Sequence, residues 1–359
     1  MTFEEARAEF PVLERFAYLN AGTLGPLSRA TLAAAEARLA FDQEHGRGGK
    51  AWFESVLALR TAVRGQIANL IGTTPEHIAL TSSTTDGCNI VVAGVELGPG
   101  DEVVTTSSEH PGLLLPLNVS GARVRVAEVG ARPTADAVDT ILACITPKTK
   151  LLALSHVLWT TGQTLPVDEL KEKTGLPVLV DGAQSVGAMP VEVGAIDFYT
   201  VSCQKWLCGP EPLGALYVRD PEALKVAIPS SFAQQSIEPD GTFVPSNGAA
   251  RFDSGWLATP ALAGLEAALD GAPDWRYERA AEIAALCRTR LRERYDVIGD
   301  GEGTLVSFVP PGEPASDAAR LYDAGVVVRD LPGTGWLRAS CGWWTNEDDV
   351  ERLLAGLAG

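Results

Sequence analysis

The sequence has no long apolar run, no CxxC pair, no block of basic charge and only four histidines. Each absence excludes something. Without a stretch of ~20 apolar residues, no membrane-spanning helix is expected. Lys and Arg number 29 against 46 Asp and Glu, and the net charge of −17 argues against nucleic acid or an anionic membrane as partner. The six cysteines, at 88, 144, 203, 208, 287 and 341, show no metal-ligand spacing, and a multi-histidine site is not expected, so no metal is. The opening stretch MTFEEARAEFPVLERF is acidic and lacks the apolar segment of a secretion signal. Reduced thiols and a cytoplasmic location are the expectation.

What is present is an ordinary globular composition, 46% hydrophobic and 21% charged, in a chain of 359 residues. That is long enough for two domains, each with its own core. Short apolar runs at 77–81, 102–106, 123–128, 150–155, 178–180, 197–202 and 214–218 predict strands. Amphipathic stretches at 28–43, 51–70, 86–95, 134–145 and 167–173 predict the helices around them. Strands that are apolar throughout and alternate with helices imply an α/β domain whose mainly parallel sheet is covered on both faces. The Ser-, Gln-, Pro- and Gly-rich segment 227–253 reads as a loop joining domains. Beyond it, helices at 260–270 and 274–295, strands at 305–309 and 326–329 and a helix at 346–357 predict a smaller α+β unit.

Ligands of such sheets bind at the carboxyl ends of strands, and four stretches put polar residues there. TSSTTDGCN follows the strand ending at Thr81; its hydroxyls open a helix and suit either a cap or a phosphate. SSEHPGLL places His110 at a helix start, free to stack on a flat ligand or to be solvated. In VLVDGAQSVG, Asp181 ends an apolar strand, as a helix cap or as partner of a buried cation. SCQKWLCGP places Lys205 between two buried strands with no carboxylate near it in sequence. A lysine there either snorkels to solvent or has chemistry to do.

A phosphate seat, a ring to stack, a carboxylate and a lysine are together the requirements of pyridoxal phosphate. On these stretches, and on YLNAGTLGPLS near the start, the chain resembles the class V aminotransferase and cysteine desulfurase-like family of fold type I. The resemblance implies a large cofactor-binding domain over residues 17–240 with a seven-stranded sheet, and a small domain from residues 1–16 and 241–359. It implies catalytic roles for Lys205 as the cofactor-bearing lysine, for His110 stacked on the ring and for Asp181 at the pyridine nitrogen. It also implies Gln184 at the phenolic oxygen, and Thr84, Thr85 and Ser202 around the phosphate. Gln204 stands where the family commonly has His, and its amide can still donate to phosphate. Trp256 stands where relatives often have a Thr that reaches a neighbouring subunit's phosphate. A homodimer is implied.

VVVRDLPGTGWLRAS carries Arg329 and Arg338 and looks like the family's carboxylate-binding segment; an arginine fork suits an α-carboxylate. Cysteine desulfurases of the family keep a sulfur-accepting cysteine in the loop between these arginines, and residues 330–337 contain none. The stretches TTDGCNIVVAG, SSEHPGLL, LSHVLWTTGQTLPVDEL and KWLCGP resemble the family's cystine C–S lyases, with isopenicillin epimerase-like proteins next. That likeness places His156 beside the cofactor. The expected reaction is β-elimination from cystine or a related cysteine S-conjugate, with epimerisation or transamination of an amino acid as the alternative.

Overall fold

The computed structural model describes residues 1–359. Seven strands form its large sheet: β1 (Ile78–Thr81), β2 (Glu102–Thr106), β3 (Arg123–Ala127), β4 (Thr149–Ser155), β5 (Val178–Asp181), β6 (Phe198–Ser202) and β7 (Gly214–Val218). Their order is β1-β7-β6-β5-β4-β2-β3. All neighbours are parallel except β7, which runs antiparallel to both β6 and β1.

Side chains alternate between the two faces, and both faces are buried except along the edge strand β3, where Val126 is 44% exposed. One face gives Leu80, Val104, Leu152, Leu154, Val180 and Val201 to a core of 35 buried residues. The other gives Ala79, Val103, Leu151, Ala153, Leu179 and Leu216 to a core of 16. This explains why the strands read as continuous apolar runs. Helices Gly49–Leu70 and Thr259–Asp270 cover the first face through Val63, Ile67, Leu262 and Leu265; helices Thr84–Gly94 and Pro111–Val119 cover the second through Val91, Leu113 and Leu117.

A second sheet of three antiparallel strands lies beyond: β8 (Leu305–Phe308), β9 (Arg329–Leu331) and β10 (Trp336–Ser340), with β10 in the middle. Helices Arg276–Arg292, Pro314–Asp323 and Glu347–Ala358 bury it in a core of 18 residues, which also takes in Ala17 and Leu19. Helix Thr259–Asp270 thus packs with the large sheet although it follows residue 241, and Ala17–Leu19 packs with the small one.

Two expectations need correction. Segment 227–253 is no plain loop: Gln234–Ile237 pairs with Phe243–Pro245 as a hairpin, followed by a 3₁₀ turn at Gly248–Phe252. The hairpin's own tip explains it, since Asp240 Oδ1 accepts from Thr242 N and Gly241 sits at φ +89. The middle strand β10 and helix Pro314–Asp323 were not foreseen either. Arg338 interrupts the apolar pattern of β10, and the helix opens at Pro314 with a mostly polar face.

Candidate active site

The carboxyl ends of β4, β5 and β6 lie side by side, with Ser155 paired in register to Asp181 and Asp181 to Thr200. Each of these strands therefore ends its apolar run in one polar row. Just past β6 the chain turns tightly, Cys208 N donating to Lys205 O and Gly209 N to Cys203 O. That turn carries Lys205 back across the row. Segment Asn20–Gly25 clamps it, with Gly25 N donating to Gln204 O at 2.8 Å. A Cβ on Gly25 would come 2.0 Å from Lys205 O, so only glycine allows this approach.

Lys205 forms no ion pair. Burial pushes its ammonium down to about 8, with Arg338 and Arg329 pushing the same way and Asp181 opposing. Asp181 is buried; its Oδ1 accepts from Ala183 N at 2.9 Å and faces Thr200 Oγ1 at 3.4 Å. Its other oxygen takes no hydrogen bond from the chain. Both residues line one narrow cleft with His110, Ser155, Val157, Trp159, Ala183 and Gln184.

His110 caps helix Pro111–Val119: its Nδ1 accepts from Gly112 N at 3.0 Å, which places the ring proton on Nε2. Burial, and then the charge on Lys205, lowers its pKa, so the ring is neutral. Gln184 holds the cleft's far side, with Nε2 donating to Gly22 O at 2.9 Å and Oε1 accepting from Trp206 Nε1 at 3.0 Å. One amide hydrogen stays free.

At the neighbouring strand ends, Thr84 and Thr85 open helix Thr84–Gly94 behind the cap Ser83, and their hydroxyls bond to nothing in the chain. Gly214 lets that helix start touch the sheet, since a Cβ there would meet the Ser83 backbone at 2.8 Å. Ser202 Oγ is fully shielded and unpartnered, and so is Gln204 Oε1. Half a turn of that amide would present an N–H instead. Bare donors around a helix N-terminus suit an anion.

Arg338 is 1% exposed yet faces no carboxylate; Nη1 donates to Trp159 O at 2.8 Å, and Nε bonds to nothing. Burial first, then Arg329, pushes its guanidinium down to about 9. Its Cα partner across the ladder is Arg329, whose Nη1 donates to Thr23 Oγ1 at 3.3 Å. Gly22 sits between Arg338 and Gln184, because a Cβ there would lie 2.6 Å from Nη2. Two guanidiniums without counter-ions beside a lysine are a costly arrangement that an anionic ligand relieves.

His156 does not line the cleft: its Nδ1 meets the Tyr199 hydroxyl at 2.6 Å, and that hydroxyl meets Ser185 Oγ at 2.6 Å. Burial holds its pKa at about 4, so it stays neutral in this network. No thiol lines the cleft either. Cys203, Cys208 and Cys341 are buried, and burial raises the first two, whereas contact with Cys287 and then burial raises Cys341.

Sequence reasoning missed Glu109, Ser155 and Trp159. Glu109 is buried behind His110, its Oε1 accepting from Thr106 Oγ1 at 2.7 Å and its Oε2 from the Ser155 amide at 3.0 Å and from the Ser155 hydroxyl. Burial pushes its carboxyl up to about 7. It ties the ends of β2 and β4 together. Its place beside His110 in SSEHPG was the only available signal.

A ligand seated here meets an amine for covalent attachment, a buried carboxylate, a neutral imidazole and an anion seat with unfilled donors. Pyridoxal phosphate fits that set, and with a mainly parallel seven-stranded sheet it defines a pyridoxal-phosphate-dependent enzyme of fold type I. The chain belongs to the aminotransferase class-V family, whose model matches residues 33–353. Isopenicillin N epimerase of Streptomyces clavuligerus is 28% identical over 99% of this chain and 97% of that protein. A cysteine desulfurase of Klebsiella pneumoniae is 30% identical over 99% and 98%. A solved structure of a C-DES mutant, with glycine covalently linked to its PLP cofactor, superposes with TM-score 0.90 at 27% identity and covers 98% of both chains. A complex of the cystine C–S lyase C-DES with its product cysteine persulfide gives 0.89 at 28%, covering 97% of this chain and 99% of that one. The enzyme is thus of the cysteine desulfurase and C–S lyase-like kind.

Proposed function

We propose that the protein is a carbon–sulfur lyase that eliminates sulfur from the β-carbon of cystine or a related cysteine S-conjugate, acting as a cytoplasmic homodimer. The observation that carries this reading is the absence of any thiol from the cleft while two guanidiniums stand beside Lys205 with no carboxylate partner. A desulfurase needs a cysteine to receive sulfur, whereas a lyase needs only to let it leave. Cystine bears two carboxylates, matching Arg338 and Arg329.

Lys205 would carry the cofactor. Asp181, through its unbonded oxygen, would hold the pyridine nitrogen protonated, His110 would stack on the ring and Gln184 would face its phenolic oxygen. Thr84, Thr85, Ser202 and Gln204 would seat the phosphate. Pyridoxal phosphate supplies a sink for the electron pair left when the Cα–H bond breaks. Arg338 clamps the α-carboxylate and fixes the Cα–H bond toward Lys205. Lys205 in its free neutral form, which its buried setting makes accessible by about pH 8, would take the α-proton at Nζ. The Cβ–S bond then breaks with its electron pair on sulfur, and a persulfide or thiolate departs without needing a strong acid. The remaining three-carbon fragment hydrolyses to pyruvate and ammonia.

Incubation with cystine and with cysteine conjugates, followed by product assay, tests this. Pyruvate and ammonia are expected, and Lys205→Ala should abolish them together with the cofactor adduct that borohydride fixes to the protein. Alanine as product would make it a desulfurase. Inversion of the α-centre alone would make it an epimerase, the activity of one of its relatives.

A further inference from the structure

Trp159 carries a donor with no assigned partner. Its indole Nε1 is shielded from solvent and bonds to nothing in the chain. Indole N–H can only donate, and a buried one ordinarily finds an acceptor. The ring lines the cleft with His110, Asp181 and Lys205, and packs edge-on against His110 with centroids 5.4 Å apart.

The backbone of the same residue holds Arg338, since Trp159 O accepts from Nη1 at 2.8 Å. Arg338 Nε is a second buried donor left bare. The turn beneath them is fixed. Leu158 N donates to Gln163 O and Gly162 N to Leu158 O, both at 2.8 Å. Ser307 Oγ donates to Thr160 O at 2.6 Å, and Ser307 is the ladder partner of Arg338. Trp159 and Arg338 are therefore placed by one stitched unit spanning the two sheets.

We infer that Trp159 donates its indole N–H to the carboxylate of the amino acid that Arg338 grips, and so sets the enzyme's preference for amino acids over plain amines. This rests on the assignment of Arg338 as the carboxylate clamp. A wall residue with no such bond would make the same packing contacts, and removing its N–H alone would then be silent.

The test uses the holoenzyme and reads the change in cofactor absorbance on titration with alanine and with ethylamine, which is alanine without its carboxylate. W159F keeps the ring and removes the N–H. Its apparent Kd for alanine should rise about tenfold, the worth of one hydrogen bond to a charged group, while that for ethylamine stays unchanged. Equal shifts for both ligands, or none, would overturn the inference. Should W159F emerge without cofactor, W159H restores a ring N–H: alanine affinity near that of wild type supports the bond, and a tenfold loss overturns it. Pyruvate is not read here. A protein that passes this test yet makes no pyruvate from cystine loses the lyase reading and keeps this one.

Discussion

Lys205 shows how much one residue's setting decides. Its ordinary ammonium pKa is above 10, and burial in this cleft brings it to about 8. Below that pH the amine is protonated and cannot attack a carbonyl; above it the amine is neutral. Attachment of pyridoxal phosphate to cofactor-stripped protein should therefore quicken about tenfold per pH unit up to about pH 8 and level off beyond it. Stopped-flow absorbance across that range measures this, and a rate still climbing steeply well above pH 8 would mean the lysine is not desolvated. Lys205 and Asp181 were legible in the sequence because, together with the threonines at 84–85 and His110, they recur at successive strand ends in the order that one cofactor needs. Glu109 was not, because its partners Thr106 and Ser155 come from strands adjacent only after β2 and β4 pair. His156 stands apart from the cleft's lining for a related reason. Being next to Ser155 in sequence did not put it on the same face of the sheet, and its ring turned to Tyr199.

Among the elements, the turn at Gly248–Phe252 is pinned by a residue just past its end. Asp253 is 3% exposed; Oδ2 accepts from Arg60 Nη2 at 2.9 Å and Arg64 Nη2 at 2.7 Å, and Oδ1 accepts from Leu80 N at 2.8 Å. One carboxylate thus clasps helix Gly49–Leu70, strand β1 and the hairpin segment. The neighbouring Ser254 hydroxyl donates to Asp86, in the first turn of the helix opened by Thr84. Asp253→Ala leaves the buried Arg60 and the partly buried Arg64 without their carboxylate and should cost about 3–5 kcal/mol, read as a fall in the urea midpoint at unchanged slope. A loss below about 1 kcal/mol, the value of a surface pair, would show that water replaces the carboxylate. The clasp was illegible in the sequence, since 189 residues separate Arg64 from Asp253. The inner strands of the large sheet, by contrast, were readable because burial on both faces leaves little freedom in composition.

On the scale of the whole molecule, one feature of the surface stands out against a heavily acidic chain. Trp52, Phe53, Phe232 and Trp256 touch one another, with Phe232 and Trp256 centroids 4.9 Å apart and Arg60 stacked on Phe232 at 4.3 Å. Trp256 is 63% exposed, Phe53 42% and Leu57 43%. Aromatic and aliphatic side chains left in water in one cluster mark a surface that another protein covers. Trp256 lies two residues past Ser254, so the cluster's cover would border the helix start that Thr84 opens. A second copy of the chain fits the homodimer already proposed, and its mass by light scattering should be twice 37.9 kDa. Trp256→Glu sets a charge in the middle of that contact, and should shift the mass toward one chain and weaken retention of pyridoxal phosphate together. A variant that becomes monomeric yet holds its cofactor as tightly as before would separate the two, leaving each subunit's site complete by itself.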